Sequence, residues 1–323
     1  MWAKKCTKSL TLKLFINLLK LPHKNQKNRG NHIISASEET QEMTEFVAFW
    51  NEVLVPKFVK YRHILVGGLS HHSEKIFPTL RVKDGDKVLD VGCGFGDTAI
   101  QFGTIVGPKG TVLGIDCCDG FTNIASDDAK AAGADNVKFQ VADAQSHQFD
   151  SDYDFCFSRF GTQFFENPVA GLRNMRASLK PGGIMTMIVW RTAADNPWLG
   201  LPKDIILKIL PAPGDDGRSC GPGPFSMADQ EMVTKQLEVS GYTDIEFKRV
   251  DAPLMVGNSL DDAIAFQLAV GPAGEVYREA GDEAIERHDE IDAAFKAELV
   301  KYQTSEGIVL DSSSWVISAV NPG

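Results

Sequence analysis

The stretch VLDVGCGFG, residues 88–96, decides how the chain folds. A short β-branched run is followed by glycines at alternate positions, Gly92, Gly94 and Gly96, and then by a helical stretch to Val106. Glycines at a strand-to-helix turn let a ligand come close to backbone N–H groups at the start of the helix. A dinucleotide-binding loop spaces its glycines GxGxxG, and the third would fall where Asp97 stands. The GxGxG spacing here, with Asp90 two places before the first glycine, argues against the main alternative, a nicotinamide-dependent oxidoreductase.

Working outward, strand-like and helical patterns alternate. Residues 110–116 (GTVLGID) predict a second strand and 119–134 its helix; 136–143 predict a third strand and 153–160 a fourth. Residues 167–179 predict a helix, and 183–190 a fifth strand opened by the Lys180-Pro181-Gly182-Gly183 turn. Repeated units of this length imply a doubly wound α/β fold, a parallel sheet with helices on both faces. Ligands of such sheets bind beyond the carboxyl ends of the strands. Two carboxylates stand at those ends. Asp116 closes the second strand, where it suits the two hydroxyls of a ribose, and Asp143 closes the third, within reach of an adenine amino group.

These residues carry a resemblance. VLDVGCGFG, GID at 114–116, VADA at 141–144 and LKPGG at 179–183 resemble the class I S-adenosylmethionine-dependent methyltransferases. The chain is most similar to methyltransferase domains of the ubiquinone/menaquinone-biosynthesis type. The resemblance implies a Rossmann-like seven-stranded sheet of order 3-2-1-4-5-7-6 with an antiparallel last strand, and S-adenosyl-L-methionine as cofactor. The sixth and seventh strands would be residues 243–256 and 312–320. It also implies roles: Gly92 and Gly94 against the methionine part, Asp116 on the ribose, Asp143 and Ala144 at the adenine, and Ser158 near the methionine amino group. Asp90, Cys93, Gly96 and Cys117 complete the expected cofactor site. A protein that binds the cofactor without catalysing, as a scaffold, is the alternative from another functional class.

Composition bounds the rest. The 323 residues carry a net charge of −10, which disfavours nucleic acid as a partner. Residues 1–37 hold eight basic and no acidic residues, leaving −18 on the remainder. This head is expected to be a basic, disordered tail, with a mitochondrial presequence or weak contact with a membrane surface as alternatives. No apolar run is long enough to span a membrane, and a cytoplasmic location is expected. The six cysteines, at 6, 93, 117, 118, 156 and 220, show no zinc spacing, so no metal is expected. Residues 38–323 read as one methyltransferase domain: cap helices at 40–80, a cofactor-binding core at 84–190, and sheet completion at 191–323 with a helical insertion at 259–302. Residues 197–224, rich in Pro and Gly, read as loop.

The acceptor is expected to be a small organic molecule, quinone- or phenol-like or bearing a carboxylate, methylated at O, C or N. Ser158-Arg159-Phe160-Gly161 stands where amide- and adenine-nitrogen methyltransferases carry [DN]PPY, and no carboxylate closes the fourth strand to hold a catalytic cation. His63, His71 and His72, in the expected cap, are the candidate general bases. Arg159 and Arg191 are candidates to orient an anionic acceptor. Trp50 and Phe160 are candidates to line its pocket, with Phe164, Phe165, Trp190 and Trp198 as further aromatic wall.

Overall fold

A computed structural model describes residues 44–214 and 221–323. The expected tail (residues 1–37), the first residues of the expected cap, Cys6 and Cys220 lie outside them.

Seven strands form one sheet in the order β3-β2-β1-β4-β5-β7-β6. They are β1 (Lys87–Val91), β2 (Thr111–Asp116), β3 (Val137–Val141), β4 (Tyr153–Arg159), β5 (Leu179–Trp190), β6 (Thr243–Gly257) and β7 (Ile308–Val320). The first five pair in parallel, and β7 runs antiparallel to both β5 and β6. The order reverses between β1 and β4, which opens a crevice beyond their carboxyl ends.

Covering on both faces explains why the central strands read as continuous apolar runs. In β5, Ile188 and Trp190 pack with helix Arg62–Glu74 and the cap, while Met185, Met187 and Val189 pack on the other face with Leu172, Met175 and Leu237. This is the period of two that strand geometry imposes. At the β3 edge the sheet is largely open, and β6 becomes alternately buried only in its second half, where the cap covers it.

The cap has two parts. The first comprises helix Glu45–Phe49, a π-helical turn Trp50–Leu54, helix Val55–Lys60 and helix Arg62–Glu74. The helix that leaves the π turn carries Pro56, which has no N–H, at its second position, where the π turn has already interrupted the regular ladder of hydrogen bonds. Gly68 lets helix Arg62–Glu74 lie close on β6: a Cβ there would stand 2.8 Å from Leu254 Cγ. The second part is the insertion between β6 and β7. Within the expected insertion at 259–302, helix Leu260–Gln267 ends four residues before Gly271, whose φ of 81° turns the chain into the next helix, Gly271–Ala280. Helices Asp282–Glu286 and His288–Leu299 follow. β7 starts at Ile308, four residues before the expected start.

One expected loop is wrong in its first third. Residues Pro197–Ile206 form a helix with Pro197 at its first position, and Trp198, Leu199, Ile205 and Ile206 are buried along it. Proline there starts a helix rather than breaking it. Asn196 caps that turn to β7: its amide donates to the carbonyls of Thr192 and Ser313 at 3.0 and 2.9 Å and accepts the Ser313 N–H at 2.9 Å. Asn196→Ala would leave the Ser313 N–H buried without a partner, while the Ser313 carbonyl keeps the Arg191 N–H at 3.1 Å, so we expect a loss of about 1–3 kcal/mol. The measurement is urea unfolding, with a lower midpoint at an unchanged slope.

Candidate functional site

Three turns at the carboxyl ends of β1, β2 and β4 build the site. Gly92, at φ 65°, brings the β1 turn against the β4 turn so closely that a Cβ would lie 3.0 Å from Gly161 Cα. Gly94, at φ 52°, is different: nothing stands within 4 Å of where its Cβ would be, so its backbone is open to a ligand. The Gly94 N–H donates to Asp116 Oδ2 at 3.0 Å, and the Cys118 N–H donates to Oδ1 at 3.0 Å. Burial pushes the Asp116 carboxyl up to about 6, and these N–H bonds hold it back from rising further. Asp143 accepts the Gln145 N–H at 2.9 Å.

A cavity of about 250 Å³ spans these turns and the cap. Of the expected cofactor residues, Gly92, Cys93, Gly94, Asp116, Cys117, Asp143 and Ala144 line it. Asp90, Gly96 and Ser158 do not, and each has a structural reason. Asp90 is wholly buried behind the loop, where it accepts the Thr98 hydroxyl at 2.6 Å and ties β1 to helix Asp97–Val106. Burial pushes its carboxyl up to about 7, against the lowering effects of Thr98 and Arg159. A Cβ on Gly96 would stand 2.6 Å from the Phe139 ring, so this glycine serves helix-to-sheet packing. Ser158 is buried behind Gly161, with no hydrogen-bond partner for its hydroxyl among the described residues.

The candidate bases are also placed elsewhere. Among the described residues no histidine lines the cavity. His63 and His71 face solvent, the latter 3.7 Å from Glu74. His72 is fully buried with both ring nitrogens held by β7 hydroxyls, Ser314 at Nδ1 and Ser312 at Nε2, each at 2.8 Å. Burial, reinforced by Lys75, His71 and Arg159 against the opposing Asp251, pushes its pKa down to about 4. A neutral, doubly bonded imidazole is a packing element. Its edge meets the rings of Phe160 and Trp190.

Those two rings form the floor. Phe160 leaves β4 with φ 58°, unusual for a bulky side chain, and stacks on Trp190 with centroids 3.8 Å apart. The expected aromatic residues Trp50, Phe160, Phe164, Phe165, Trp190 and Trp198 all line the cavity. Arg159 lines it too, but its guanidinium is held by both Asp97 oxygens at 2.7 Å and donates to Ser73. Arg191 is absent from the lining. It lies over the Trp315 ring, 4.5 Å from the centroid, and donates to Ser313 at 3.1 Å.

Sequence reasoning missed Lys57, Glu275 and Arg278, which all line the cavity from the cap. A signal for Lys57 was present: Trp50, Leu54, Lys57 and Phe58 recur at helical spacing, and all four line the wall. Asp116, Cys117 and Cys118 place their ligand atoms within 4.8 Å of one another. The hydrogen bond with Cys117, then burial, push the Cys118 thiol far up.

The comparisons agree with this geometry. A family model described as a methyltransferase domain matches residues 88–183. The demethylmenaquinone methyltransferase of Staphylococcus carnosus (strain TM300) is 31% identical over 187 residues, 54% of this chain and 75% of that protein. The chain belongs to the class I S-adenosylmethionine-dependent methyltransferases. Within them it is of the ubiquinone/menaquinone-biosynthesis type. The demethylmenaquinone methyltransferase of Staphylococcus aureus (strain JH9) is 33% identical over 116 residues, 36% of this chain. There the match spans about half the relative's length, 47%. Two solved structures share the fold. Phosphoethanolamine N-methyltransferase 2 of Haemonchus contortus is 17% identical with a TM-score of 0.54, over 86% of this chain and 61% of that one. The YcgJ protein of Bacillus subtilis is 14% identical with a TM-score of 0.53, over 79% and 99%.

The methyltransferase site fits S-adenosylmethionine in its donor set: an open glycine backbone at Gly94 and carboxylates on the ends of β2 and β3. A ribose hydroxyl donates to a carboxylate, so a cofactor held by Asp116 binds its ionised form. Because the free carboxyl sits at about 6, S-adenosylhomocysteine affinity should be flat above that pH. Below it, affinity should fall by about tenfold per pH unit. Asp116→Asn should bind at least tenfold more weakly at pH 7.5 and lose the pH dependence, measured by isothermal titration.

Proposed function

We propose that this methyltransferase acts on a small aromatic acceptor of the quinol or phenol kind, held between the strand ends and the cap. The observation that supports this most is that one cavity joins the nucleotide-type carboxylates, Asp116 and Asp143, to aromatic walls from both sides, Trp50 from the cap and Phe160 with Trp190 from the sheet. The names of the curated relatives point to the same acceptor class.

S-adenosylmethionine, when bound, supplies an electrophilic methyl group on a sulfonium, which leaves as a neutral thioether. The chain's own residues have to align, dry and close the site. Gly92, Gly94, Asp116 and Asp143 hold the cofactor side. The Phe160–Trp190 stack gives a flat surface against which a planar ring can lie, and His72 keeps that stack from turning. The cap's Phe46, Phe49 and Trp50 exclude water from the other side. A phenol or quinol ring becomes nucleophilic at oxygen or at the adjacent carbon when its hydroxyl ionises. No histidine is needed for this where the acceptor ionises readily, and among the described residues none lines the cavity.

The test is a screen with methyl-labelled S-adenosylmethionine against quinols, phenols, aromatic amines and aliphatic amines. Label should enter quinols or phenols first; transfer to aliphatic amines alone would overturn the acceptor class. In the active assay, His63→Ala and His71→Ala should stay within about twofold of the parent rate, since a lost general base would cost 100-fold or more. Trp50→Ala should lower kcat/KM while S-adenosylhomocysteine affinity is unchanged.

A further inference from the structure

The cavity's charged groups divide by origin. Asp116 and Asp143 come from the strand ends, and Asp97 is neutralised by Arg159. The cap contributes Lys57, Glu275 and Arg278. Arg278 lies over the Phe49 ring, 4.9 Å from its centroid, and pairs with Glu279 at 2.5 Å and Glu275 at 3.9 Å. Lys57 is half-buried on helix Val55–Lys60, and among the described residues no carboxylate lies within ion-pairing distance of it. Burial, then the Arg278 cation, lower its pKa. Glu275 is shifted the other way, its pKa raised by burial and by Glu279, against Arg278 and Lys203. A half-buried ammonium near a second cation, without a carboxylate of its own, leaves a place for a negative charge in the cap wall.

We propose that Lys57, backed by Arg278, is the acceptor-recognition site for an oxyanion on an aromatic ring. The proposal rests on the aromatic-acceptor reading above and adds the group by which that acceptor is held. It moves the anion-orienting role from Arg159 and Arg191 to the cap. Arg159 is already committed to Asp97, and Arg191 does not line the cavity. A phenolate or a ring carboxylate would each satisfy Lys57. The phenolate case has a chemical consequence, because stabilising the ionised hydroxyl makes the ring the nucleophile without a separate base.

The experiment uses 4-nitrophenol, whose ionisation is read from its visible absorbance, with the full chain saturated with S-adenosylhomocysteine. The bound probe should ionise at least one pH unit below the free probe, a tenfold or greater preference for the phenolate. In Lys57→Met that shift should vanish, with S-adenosylhomocysteine affinity and melting temperature unchanged. Lys57→Arg should restore most of it. Displacement of the probe by benzoate but not benzamide would assign the site to carboxylates as well; no displacement by benzoate would assign it to phenolates. A probe that does not bind, an unshifted probe, or a shift that persists in Lys57→Met would overturn the proposal. Failure of the parent protein to bind S-adenosylhomocysteine would instead overturn the methyltransferase reading beneath it.

Discussion

The contact between the backbones of Gly92 and Gly161 is the constraint on which the site depends. These residues lie just beyond β1 and β4, where the strand order reverses, and a single Cβ at either position would intrude on the other turn. Because the turns touch, Asp97 can hold Arg159 across them at 2.7 Å, with the guanidinium nearly buried. Both Asp97 oxygens and the Ser73 hydroxyl accept from the Arg159 guanidinium, and such bonds offset the cost of taking the two charges out of water. The pair fixes the cavity wall between the strand-end turns and the cap.

The same contact sets the geometry of Phe160. Its left-handed backbone is costly for a bulky residue and persists because its surroundings determine it from several directions. Its N–H donates to Ile188 at 2.8 Å, its ring stacks on Trp190, and the edge of His72 closes the third side. The two serines of β7 that hold His72 therefore act at a distance on the floor of the cavity. Strain at a cavity wall, stabilised by packing behind it, is a common way to hold a flat surface ready for a ligand.

The sheet and the strand-end side of the cavity were readable in the sequence because they are local. Each strand, its loop and the helix after it lie within about 30 residues, the length of one βα unit, so Gly94, Asp116 and Asp143 could each be placed at a strand end from spacing alone. Residues in the same motifs whose work is packing could not be told apart that way. Gly96 and Asp90 look like ligand residues in the sequence, yet Phe139 and Thr98, far along the chain or a helix turn away, claim them. The histidines fail for the same reason. Nothing near His72 in the sequence announces two hydroxyls on a strand more than two hundred residues later. Pro197 shows the converse error, a helix-starting proline read as a sign of loop.

On the proposed reading, acceptor recognition is assembled differently from cofactor recognition. The cap wall joins Lys57, before the first strand, to Arg278, in the insertion between the last two, with Phe49 lying beneath the guanidinium. Neither segment encloses the cavity alone, so a change in acceptor needs no change in the strand-end turns that suit the cofactor. The electrostatics separate in the same way. The carboxylates at the end of β2 and just beyond β3 suit hydroxyl donors, whereas cations in the cap suit an ionised oxygen. An acceptor bound through its oxyanion would thus be drawn to the cap end and away from Asp116 and Asp143, which repel it. Attraction at one end and repulsion at the other orient a planar ring along the cavity without any residue touching the atom that is methylated. For an in-line displacement, where alignment is most of what a protein can contribute, that orientation is itself the catalytic device.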